Sequence, residues 1–173
     1  MMGRRAATAI AGCRPALTPT AIGRAATLAL YEELALSPKP GLVTLVDRGS
    51  HEDMDAQTFM RSLIALRRYF GLIAAAGFAG ADFAALERLG ITAEARMLAA
   101  TGGVNTDRGA IFMLGLLCAS AGAVARERGG IAQPAELREA LQRHWGAALD
   151  RRSQRVSTLP GGIAAQRHGL RSA

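Results

Sequence analysis

The residues of this chain whose types and spacing best suit chemistry form one stretch, residues 101–112. Within it, the pair Gly102-Gly103 lets the backbone approach a ligand closely or adopt a positive φ angle. Asn105 and Thr106 then supply side-chain oxygens of the kind that cap the first turn of a helix. Unpaired N–H groups and the dipole at such a helix start favour an anion, so the stretch predicts phosphate binding. The alternative is a tight turn between two core helices, because the P-loop pattern is absent.

A second candidate for phosphate binding is Lys39, the only lysine among 21 basic residues. Pro38 and Pro40 flank it and restrict the backbone to an extended conformation that excludes helix on either side. A compact ammonium group on a stiff backbone suits a phosphate oxygen, whereas an arginine would impose the geometry of its planar fork. A lysine in an ordinary surface loop is the competing interpretation.

Acidic residues crowd the segment 47–55, which contains four carboxylates and one imidazole. Asp55 is expected to cap the helix that follows, which leaves His51, Glu52 and Asp53 without a structural task. Crowded carboxylates repel each other unless a cation or a proton intervenes. Because Mg²⁺ usually binds one or two carboxylates together with substrate phosphates, this segment is a candidate metal site. A solvated acidic loop is the alternative.

The elements that must position these residues are helices, since no segment alternates with period two and aromatic residues are few. The uncharged segment from Ala110 to Ala125 is apolar almost all round, which predicts a central helix buried on every side. The fold class is therefore an all-α multi-helix bundle around this helix. The other helices are expected to start at Pro19 and Pro134 and to span about Ala56–Ala76, Asp82–Leu89 and Thr92–Ala100.

The distribution of charge separates a folded body from the two ends. The formal charge is +7, but residues 1–24 and 151–173 carry four and five arginines and no acid. Residues 25–150 therefore hold twelve basic and fourteen acidic groups, and this slightly acidic body argues against nucleic-acid binding. The expected division is a flexible N-terminus at 1–18, a helical nucleotide-binding catalytic region at 19–150, and a disordered or non-native tail at 151–173.

The expected location of the chain is the cytoplasm. Cys13 and Cys118 lie far apart in the sequence and show neither a CxxC pair nor a metal-binding spacing. The apolar run around Leu114 is shorter than the roughly 20 residues that a membrane span needs, and small and polar residues interrupt it. We therefore expect no transmembrane segment, no membrane partner and no export signal.

Several of these motifs together resemble one enzyme family. The motifs occur in a fixed order along the chain, as Pro38–Val43, Gly49–Met54, Glu94–Thr106 and Gly109–Cys118. In this order they are similar to the triphosphoribosyl-dephospho-CoA synthases, which serve citrate lyase and malonate decarboxylase. The arginine-rich version found here looks more like the malonate decarboxylase branch. Four ordered motifs are far more specific than any one of them alone.

The resemblance implies an all-α enzyme that joins ATP to 3′-dephospho-CoA and releases adenine. A ribose 2′-hydroxyl of dephospho-CoA would attack the anomeric carbon of the ATP ribose through an oxocarbenium-like state. The protein must then place the nucleophile, accept its proton and hold the leaving base. The product would pass to the transferase that forms the holo acyl carrier protein of malonate decarboxylase. Oligomerisation is left open.

The resemblance marks positions whose chemistry suggests their roles. Asp53, His51 and Glu94 are the candidate catalytic residues, and Asp53 and Glu94 are the candidate Mg²⁺ ligands. These assignments require the separate segments to converge on one pocket. The triphosphate of ATP would lie against backbone and polar side chains, namely Lys39, Gly41, Thr101, Gly102, Gly103, Asn105 and Thr106.

Two departures from the family pattern bear on activity. Asp107 occupies a position where the family usually has histidine, and a carboxylate there would repel a phosphate unless a cation intervenes. The family chain also continues well beyond residue 173, so this chain is expected to be the N-terminal portion of a larger helical fold. Two alternative functions follow from these departures: a Mg²⁺-dependent nucleotide N-glycoside hydrolase, and an inactive helical module that only binds partners.

Overall fold

Six α-helices follow one another in the part of the chain that the structure, a computed structural model, describes: residues 17–130 and 132–153. No strand occurs in these two ranges, so the predicted all-α class is confirmed. Most of the predicted flexible N-terminus and of the predicted tail lies outside the described residues. The helices are α1 Pro19–Ala35, α2 Ala56–Leu66, α3 Tyr69–Ala79, α4 Phe83–Thr101, α5 Arg108–Arg128 and α6 Pro134–Ser153.

Three helices begin at a polar side chain that caps the first turn. Thr18, Asp55 and Asp82 accept hydrogen bonds from the N–H groups three residues later, at 3.1, 2.9 and 2.8 Å. Each bond satisfies a donor that has no partner within the helix. The predictions that α1 starts at Pro19 and that Asp55 caps α2 are confirmed.

The expectation of a single helix over residues 56–76 is wrong, because the chain is interrupted at Arg67 and Arg68 between α2 and α3. Both arginines keep right-handed helical angles, with φ of −50° and −85°, so the interruption is short. Leu66 and Phe70 are fully buried on either side of it, and the apolar stripe continues across. Since neither glycine nor proline marks the position, the periodicity of the sequence conceals it.

For α4, the sequence predicts two helices where the structure has one. The two short helices predicted at Asp82–Leu89 and Thr92–Ala100 form one helix that passes through Gly90. A glycine costs a helix about 1 kcal/mol relative to alanine, and the packing of α4 against α2 outweighs that cost. The hydroxyl of Thr92 donates to the carbonyl oxygen of Arg88 inside the helix, so Thr92 caps nothing.

The core lies where α3 and α5 pack against each other. A Cβ atom added at Gly77 would overlap the backbone of Ala119, and one added at Gly122 would overlap the carbonyl oxygen of Ala74. The two helix backbones therefore approach more closely than any side chain at these glycines would allow. Gly23 of α1 lies against the backbone of α3 in the same way. Small residues thus determine how three helices meet.

The prediction that α5 is buried on every side is wrong for its first half. Phe112, Met113 and Leu117 are 39, 51 and 44% exposed. Residues 118–125 of the same helix are buried or nearly so. A uniformly apolar helix carries no signal of which face its neighbours will cover, so the sequence could not distinguish the two halves.

The last helix, α6, packs along α5 and is anchored by Trp145. Trp145 is 2% exposed, and its indole N–H donates to the carbonyl oxygen of Ala81 at 3.0 Å. The helix continues to Ser153, past the predicted boundary at residue 150. Within this extension Arg152 forms an ion pair with Glu87 of α4.

Two stretches are long and apolar enough to cross a membrane by length and composition, Ala56–Ala79 and Arg108–Arg128. In Arg108–Arg128, 56% of the most apolar 18-residue segment is buried inside the fold, as in the core helix of a globular protein. The first contains the interruption between α2 and α3. The expectation of no transmembrane segment therefore stays a prediction.

Candidate functional site

The glycine pair ends α4 and turns the chain toward α5. Gly102 and Gly103 have φ angles of +69° and +91°, which other residues adopt only at a cost. Both N–H groups donate to the carbonyl oxygen of Leu98 and close the last turn of α4. No other part of the described chain lies within 4 Å of the Cβ position at Gly102, Gly103 or Gly109. The turn therefore presents open backbone, while its own N–H groups are already bonded.

Polar side chains hold the first turn of α5 in place. The side-chain oxygen of Asn105 accepts a hydrogen bond from the N–H of Arg108 at 3.1 Å, as expected of a capping residue. The expected capping by Thr106 is wrong, because its hydroxyl donates to the carboxylate of Asp107 at 2.9 Å. That carboxylate also accepts a short hydrogen bond from the fully buried hydroxyl of Ser62. Asp107 thereby ties the start of α5 to α2.

The carboxylate of Asp107 is already engaged by side chains of the protein. The hydroxyls of Ser62 and Thr106 both donate to it, so Asp107 has a structural role at the junction of α2 and α5. No signal in the sequence marks Ser62, because its partner lies 45 residues away in the chain. The hydroxyl of Ser62 joins the site only through the packing of α2.

Thr101 has a structural role in this site. It is 4% exposed, and its hydroxyl oxygen lies 2.9 Å from the carbonyl oxygen of Met97 and 2.5 Å from that of Val104. A threonine hydroxyl has one proton, which these two acceptors already engage. Thr101 therefore closes the turn between α4 and α5, and its side chain does not face a ligand.

Glu94 and Arg108 form an ion pair at the start of α5, in which two nitrogens of Arg108 share one carboxylate oxygen. The Nε and a terminal nitrogen of Arg108 lie 2.7 and 2.6 Å from Oε1 of Glu94. The two side chains are 31% and 36% exposed, so they remain accessible to a ligand. Sequence reasoning missed Arg108, although an arginine at the start of a helix beside a capping asparagine suits an anion.

Lys39 lies in the connection between α1 and α2 and folds back onto α1. Its Nζ donates to the carbonyl oxygen of Glu33 at 2.6 Å and to the carboxylate of the same residue at 2.7 Å. The Lys39 side chain is 9% exposed, whereas that of Glu33 is 56% exposed. An ammonium group here satisfies a terminal carbonyl and complements the helix dipole. A phosphate at Lys39 would have to replace these contacts.

The rest of this connection is folded against itself. Gly41 has a φ of +78°, and its carbonyl oxygen accepts a hydrogen bond from the N–H of Ser50 at 3.2 Å. Gly49, with a φ of +60°, lies so close to the backbone of Gly41 that a side chain would not fit. The two glycines bring the Lys39 and His51 segments together.

Within this fold, Nδ1 of His51 lies 4.0 Å from Oδ1 of Asp53, whose side chain is 65% exposed. Asp55 differs from these two, since it caps α2 and pairs with Arg48 at 3.0 Å. The hydrogen bonds from Thr58 and the Arg48 guanidinium lower the pKa of Asp55 to about 2. Asp55 is therefore ionised at neutral pH and has structural partners, while His51 and Asp53 remain accessible.

Tyr69 on α3 and Cys118 in the middle of α5 are buried and are not suited to act as an acid, a base or a nucleophile. The hydroxyl of Tyr69 donates to the carbonyl oxygen of Ile111 at 2.8 Å, and burial raises its pKa well above the ordinary value for tyrosine. Burial also raises the pKa of the Cys118 thiol to about 12. Because the thiolate is the nucleophile, Cys118 is an inert core residue at neutral pH.

The sequence of the chain matches the model of a known protein family. A family model described as ATP:dephospho-CoA triphosphoribosyl transferase matches residues 19–166, which include every candidate site residue. The chain belongs to this family. No solved structure matches it.

Curated relatives of this chain are longer proteins. A Vibrio cholerae protein named probable 2-(5''-triphosphoribosyl)-3'-dephosphocoenzyme-A synthase is 42% identical over 122 residues, covering 67% of this chain and 39% of its own. A protein of the same name from Albidiferax ferrireducens is 45% identical over 108 residues, covering 59% and 36%. Protein CitXG of Haemophilus influenzae is 40% identical over 113 residues, covering 62% and 24%. The chain thus spans about two fifths or less of the length of these relatives.

The candidate residues of this transferase-family chain fall into two groups. The first lies around the start of α5, and the second lies in the connection between α1 and α2. No hydrogen bond or ion pair between the described residues joins the groups, so their convergence on one pocket stays a prediction. The first group is Glu94, Thr101, Gly102, Gly103, Asn105 and Thr106, and the second is Lys39, Gly41, His51 and Asp53.

The Mg²⁺ site predicted at Asp53 and Glu94 stays a prediction. Among the described residues, no three His, Cys, Asp or Glu side chains come together, whereas Mg²⁺ often binds only one or two carboxylates with substrate phosphates. Glu94 is paired with Arg108, and Asp53 has only His51 near it. We therefore derive no step through a metal ion held by this part of the transferase-family chain.

Proposed function

We propose that this chain forms the N-terminal part of a 2-(5''-triphosphoribosyl)-3'-dephospho-CoA synthase. Such an enzyme transfers the triphosphoribosyl group of ATP to 3′-dephospho-CoA and releases adenine. The observation that carries the proposal is the family match over residues 19–166, which contains both groups of candidate residues. The relatives are named for this product, and they extend beyond the part that the chain covers.

The start of α5 is the part of the proposed site that best suits the triphosphate. The backbone at Gly102 and Gly103 is open to solvent, and the N-terminus of a 21-residue helix favours negative charge. Arg108 adds a guanidinium group that Glu94 holds in one orientation. We expect Asn105 and Thr106 to shape this turn and Arg108 to contact phosphate oxygens.

His51 and Asp53 best suit the proton transfer in the proposed reaction. They are accessible, they lie close to each other, and neither has a structural partner elsewhere in the described chain. A carboxylate beside an imidazole can accept the proton of the attacking 2′-hydroxyl. We assign Glu94 the task of orienting Arg108, since its carboxylate oxygen already accepts both hydrogen bonds.

The cellular context extends the proposal further. We propose a cytoplasmic enzyme whose product becomes the prosthetic group of a decarboxylase or lyase carrier protein. The arginine-rich motifs favour malonate decarboxylase, while the name of the Haemophilus influenzae relative, protein CitXG, is compatible with the citrate lyase branch. Genetic complementation of each pathway would separate these two contexts.

The direct test is an adenine-release assay on the 173-residue chain with ATP, MgCl₂ and 3′-dephospho-CoA, read by liquid chromatography. Release that depends on dephospho-CoA supports the proposal, and Arg108→Gln should lower kcat/KM at least tenfold. Arg88→Gln, which changes an exposed arginine on α4, should leave the rate unchanged. Adenine release from ATP alone would instead support the N-glycoside hydrolase.

One observation favours a second candidate, a helical module that only associates with partners. The exposed face formed by Phe112, Met113 and Leu117 is apolar and lies on the helix that starts at the candidate site. Such a face is typical of an interface. This candidate predicts no ATP binding to the chain and a stable complex with decarboxylase subunits in co-purification.

A further inference from the structure

An open groove of about 490 Å³ lies between α1 and the junction of α2 with α3. Its volume falls within the range of small-molecule sites, roughly 300–1,000 Å³. None of the candidate residues described above contributes to it. Its lining combines three arginines with two leucines and an aromatic ring: Arg24, Arg67, Arg68, Leu28, Leu63 and Tyr31.

The three arginines of this groove have no anionic partner in the described part of the chain. Arg24, Arg67 and Arg68 are exposed, and none forms an ion pair or a side-chain hydrogen bond with another described residue. In contrast, Arg48 and Arg108 both pair with carboxylates. Three guanidinium groups around one groove repel one another, and an anion between them relieves that repulsion.

The apolar part of the groove indicates what else the ligand carries. Tyr31 and Leu28 are 41% and 54% exposed, so a ring and an aliphatic side chain face solvent beside the arginines. Guanidinium groups bind phosphate oxygens in bidentate geometry. A nucleobase stacks on an aromatic ring. The groove thus combines the two features that recognise a nucleotide.

We propose that this groove binds the nucleoside diphosphate portion of a substrate. The choice of ligand rests on the proposed function, because ATP and 3′-dephospho-CoA both contain adenosine with adjacent phosphates and the reaction requires both at once. The start of α5 offers a place for one set of phosphates, and the groove offers a place for the other.

One helix connects the two places. Ser62 of α2 bonds to Asp107 at the start of α5, and the next residue, Leu63, lines the groove. Neighbouring residues of a helix point about 100° apart, so α2 separates two adjacent faces. The groove and the start of α5 therefore lie on neighbouring faces of α2.

The test is isothermal titration of the 173-residue chain with ADP and, separately, with tripolyphosphate. The double variant Arg67→Gln/Arg68→Gln should weaken ADP binding at least tenfold, while Arg88→Gln should bind ADP like the wild type. Tyr31→Leu should weaken ADP binding about threefold to tenfold and leave tripolyphosphate binding unchanged. Because all these side chains are exposed, circular dichroism should show unchanged helix content. If the double variant loses helix, Arg24→Gln replaces it.

Equal ADP affinity in the wild type and the folded arginine variant would overturn the proposal, as would an absence of ADP binding at millimolar concentration. Competition by unlabelled ATP and by dephospho-CoA then identifies the source of the diphosphate. Displacement of ADP by either compound supports the groove as a substrate site, and displacement by neither overturns it.

Binding and turnover separate this inference from the proposed function. ADP binding that depends on the arginines, without adenine release that depends on dephospho-CoA, would support the groove as a nucleotide site. It would contradict synthase activity of this chain. Adenine release with an unchanged KM for both substrates in the double variant would support the synthase activity. It would contradict the groove as a substrate site.

Discussion

At the scale of the residue, Asp55 shows how one carboxylate organises the connection between α1 and α2. Oδ1 accepts hydrogen bonds from the N–H and the hydroxyl of Thr58, both at 2.9 Å. Oδ2 pairs with Arg48 at 3.0 Å. The same carboxylate therefore starts α2 and holds the acidic segment that precedes it. These contacts favour the charged form and lower the pKa of Asp55 to about 2.

The lowered pKa of Asp55 predicts a defined pH dependence of stability. A carboxylate whose folded pKa is about 2, against an ordinary value of 3.8, stabilises the fold fully above about pH 4 and loses this effect as the pH falls toward 2. Asp55→Asn should lower the Tm above pH 4. The difference in Tm between the wild type and the variant should shrink from pH 4 to pH 2, as followed by circular dichroism.

Arg48→Gln provides the matched comparison for Asp55→Asn. The hydrogen bonds from Thr58 contribute more to the lowered pKa of Asp55 than Arg48 does, so Arg48→Gln should lower the Tm less than Asp55→Asn. A larger effect of Arg48→Gln would mean that the pair with Arg48, and not the hydrogen bonds from Thr58, contributes most to the effect of the Asp55 charge.

The contacts of single residues were predictable from the sequence when the partner lies close in the chain. Thr18 and Asp55 bond to N–H groups three residues away, and the capping preference of such side chains indicates this directly. The pairing of Lys39 with Glu33 and of Ser62 with Asp107 was not predicted. These contacts depend on how helices and loops pack, which residue type and spacing do not determine.

At the scale of the element, the pairing of α3 with α5 controls the position of the candidate site. Gly77 and Gly122 let the two backbones touch, and the hydroxyl of Tyr69 on α3 bonds to the carbonyl oxygen of Ile111 near the start of α5. Gly115 leaves the space that the Tyr69 hydroxyl occupies. The first turn of α5 is therefore fixed by the close approach of its later turns to α3.

Substituting the central glycine of this contact should destabilise the fold. Gly122→Ala would place a Cβ atom against the carbonyl oxygen of Ala74, and backbone cannot move aside as a flexible side chain does. We expect a loss of at least about 2 kcal/mol in the free energy of unfolding, measured by urea denaturation. The Gly109→Ala control lies in the same helix with open space around it, so it should be neutral or stabilise by up to about 1 kcal/mol. Equal effects of the two variants would contradict the close α3–α5 contact.

The regions of the chain that form helix were predictable, but the interruption between α2 and α3 and the continuity of α4 were not. Gly90 resembles a helix end, yet α4 continues through it because packing against α2 outweighs the local cost of glycine. Arg67 and Arg68 are good helix formers, yet the chain is interrupted there. Local propensity is a weak guide wherever tertiary packing decides the boundary.

At the scale of the whole molecule, the described helices cover the two halves of α5 unequally. The second half of α5 is buried between α3 and α6, while Phe112, Met113 and Leu117 remain exposed beside the candidate site. The sequence predicted α5 as the central helix, and this holds for the half that other described helices cover. The chain spans about two fifths or less of the length of its relatives.

The closure of this core depends on α6, and Trp145 is the residue that couples α6 to the rest. Its ring is buried among the core residues, and its N–H bonds to the carbonyl oxygen of Ala81 before α4. Charged contacts such as Arg143 with Glu127 surround it, but they are exposed and should contribute less than about 1 kcal/mol each. The docking of α6 should therefore depend on Trp145 more than on its ion pairs.

Graded substitution of Trp145 tests whether α6 folds with the core as one unit. Trp145→Phe keeps most of the buried ring and loses the N–H bond, so it should cost about 1 kcal/mol. Trp145→Ala should cost about 3–5 kcal/mol, since it also leaves a cavity. Gln142→Ala, an exposed change one turn earlier in α6, should stay within about 0.5 kcal/mol of the wild type. Urea denaturation followed by far-ultraviolet circular dichroism should show a single transition that moves in this order, because helix α6 and the α3–α5 core lose structure together. A first transition that removes only the helix content of α6, with the main midpoint unchanged in Trp145→Ala, would mean that α6 is not part of the cooperative core.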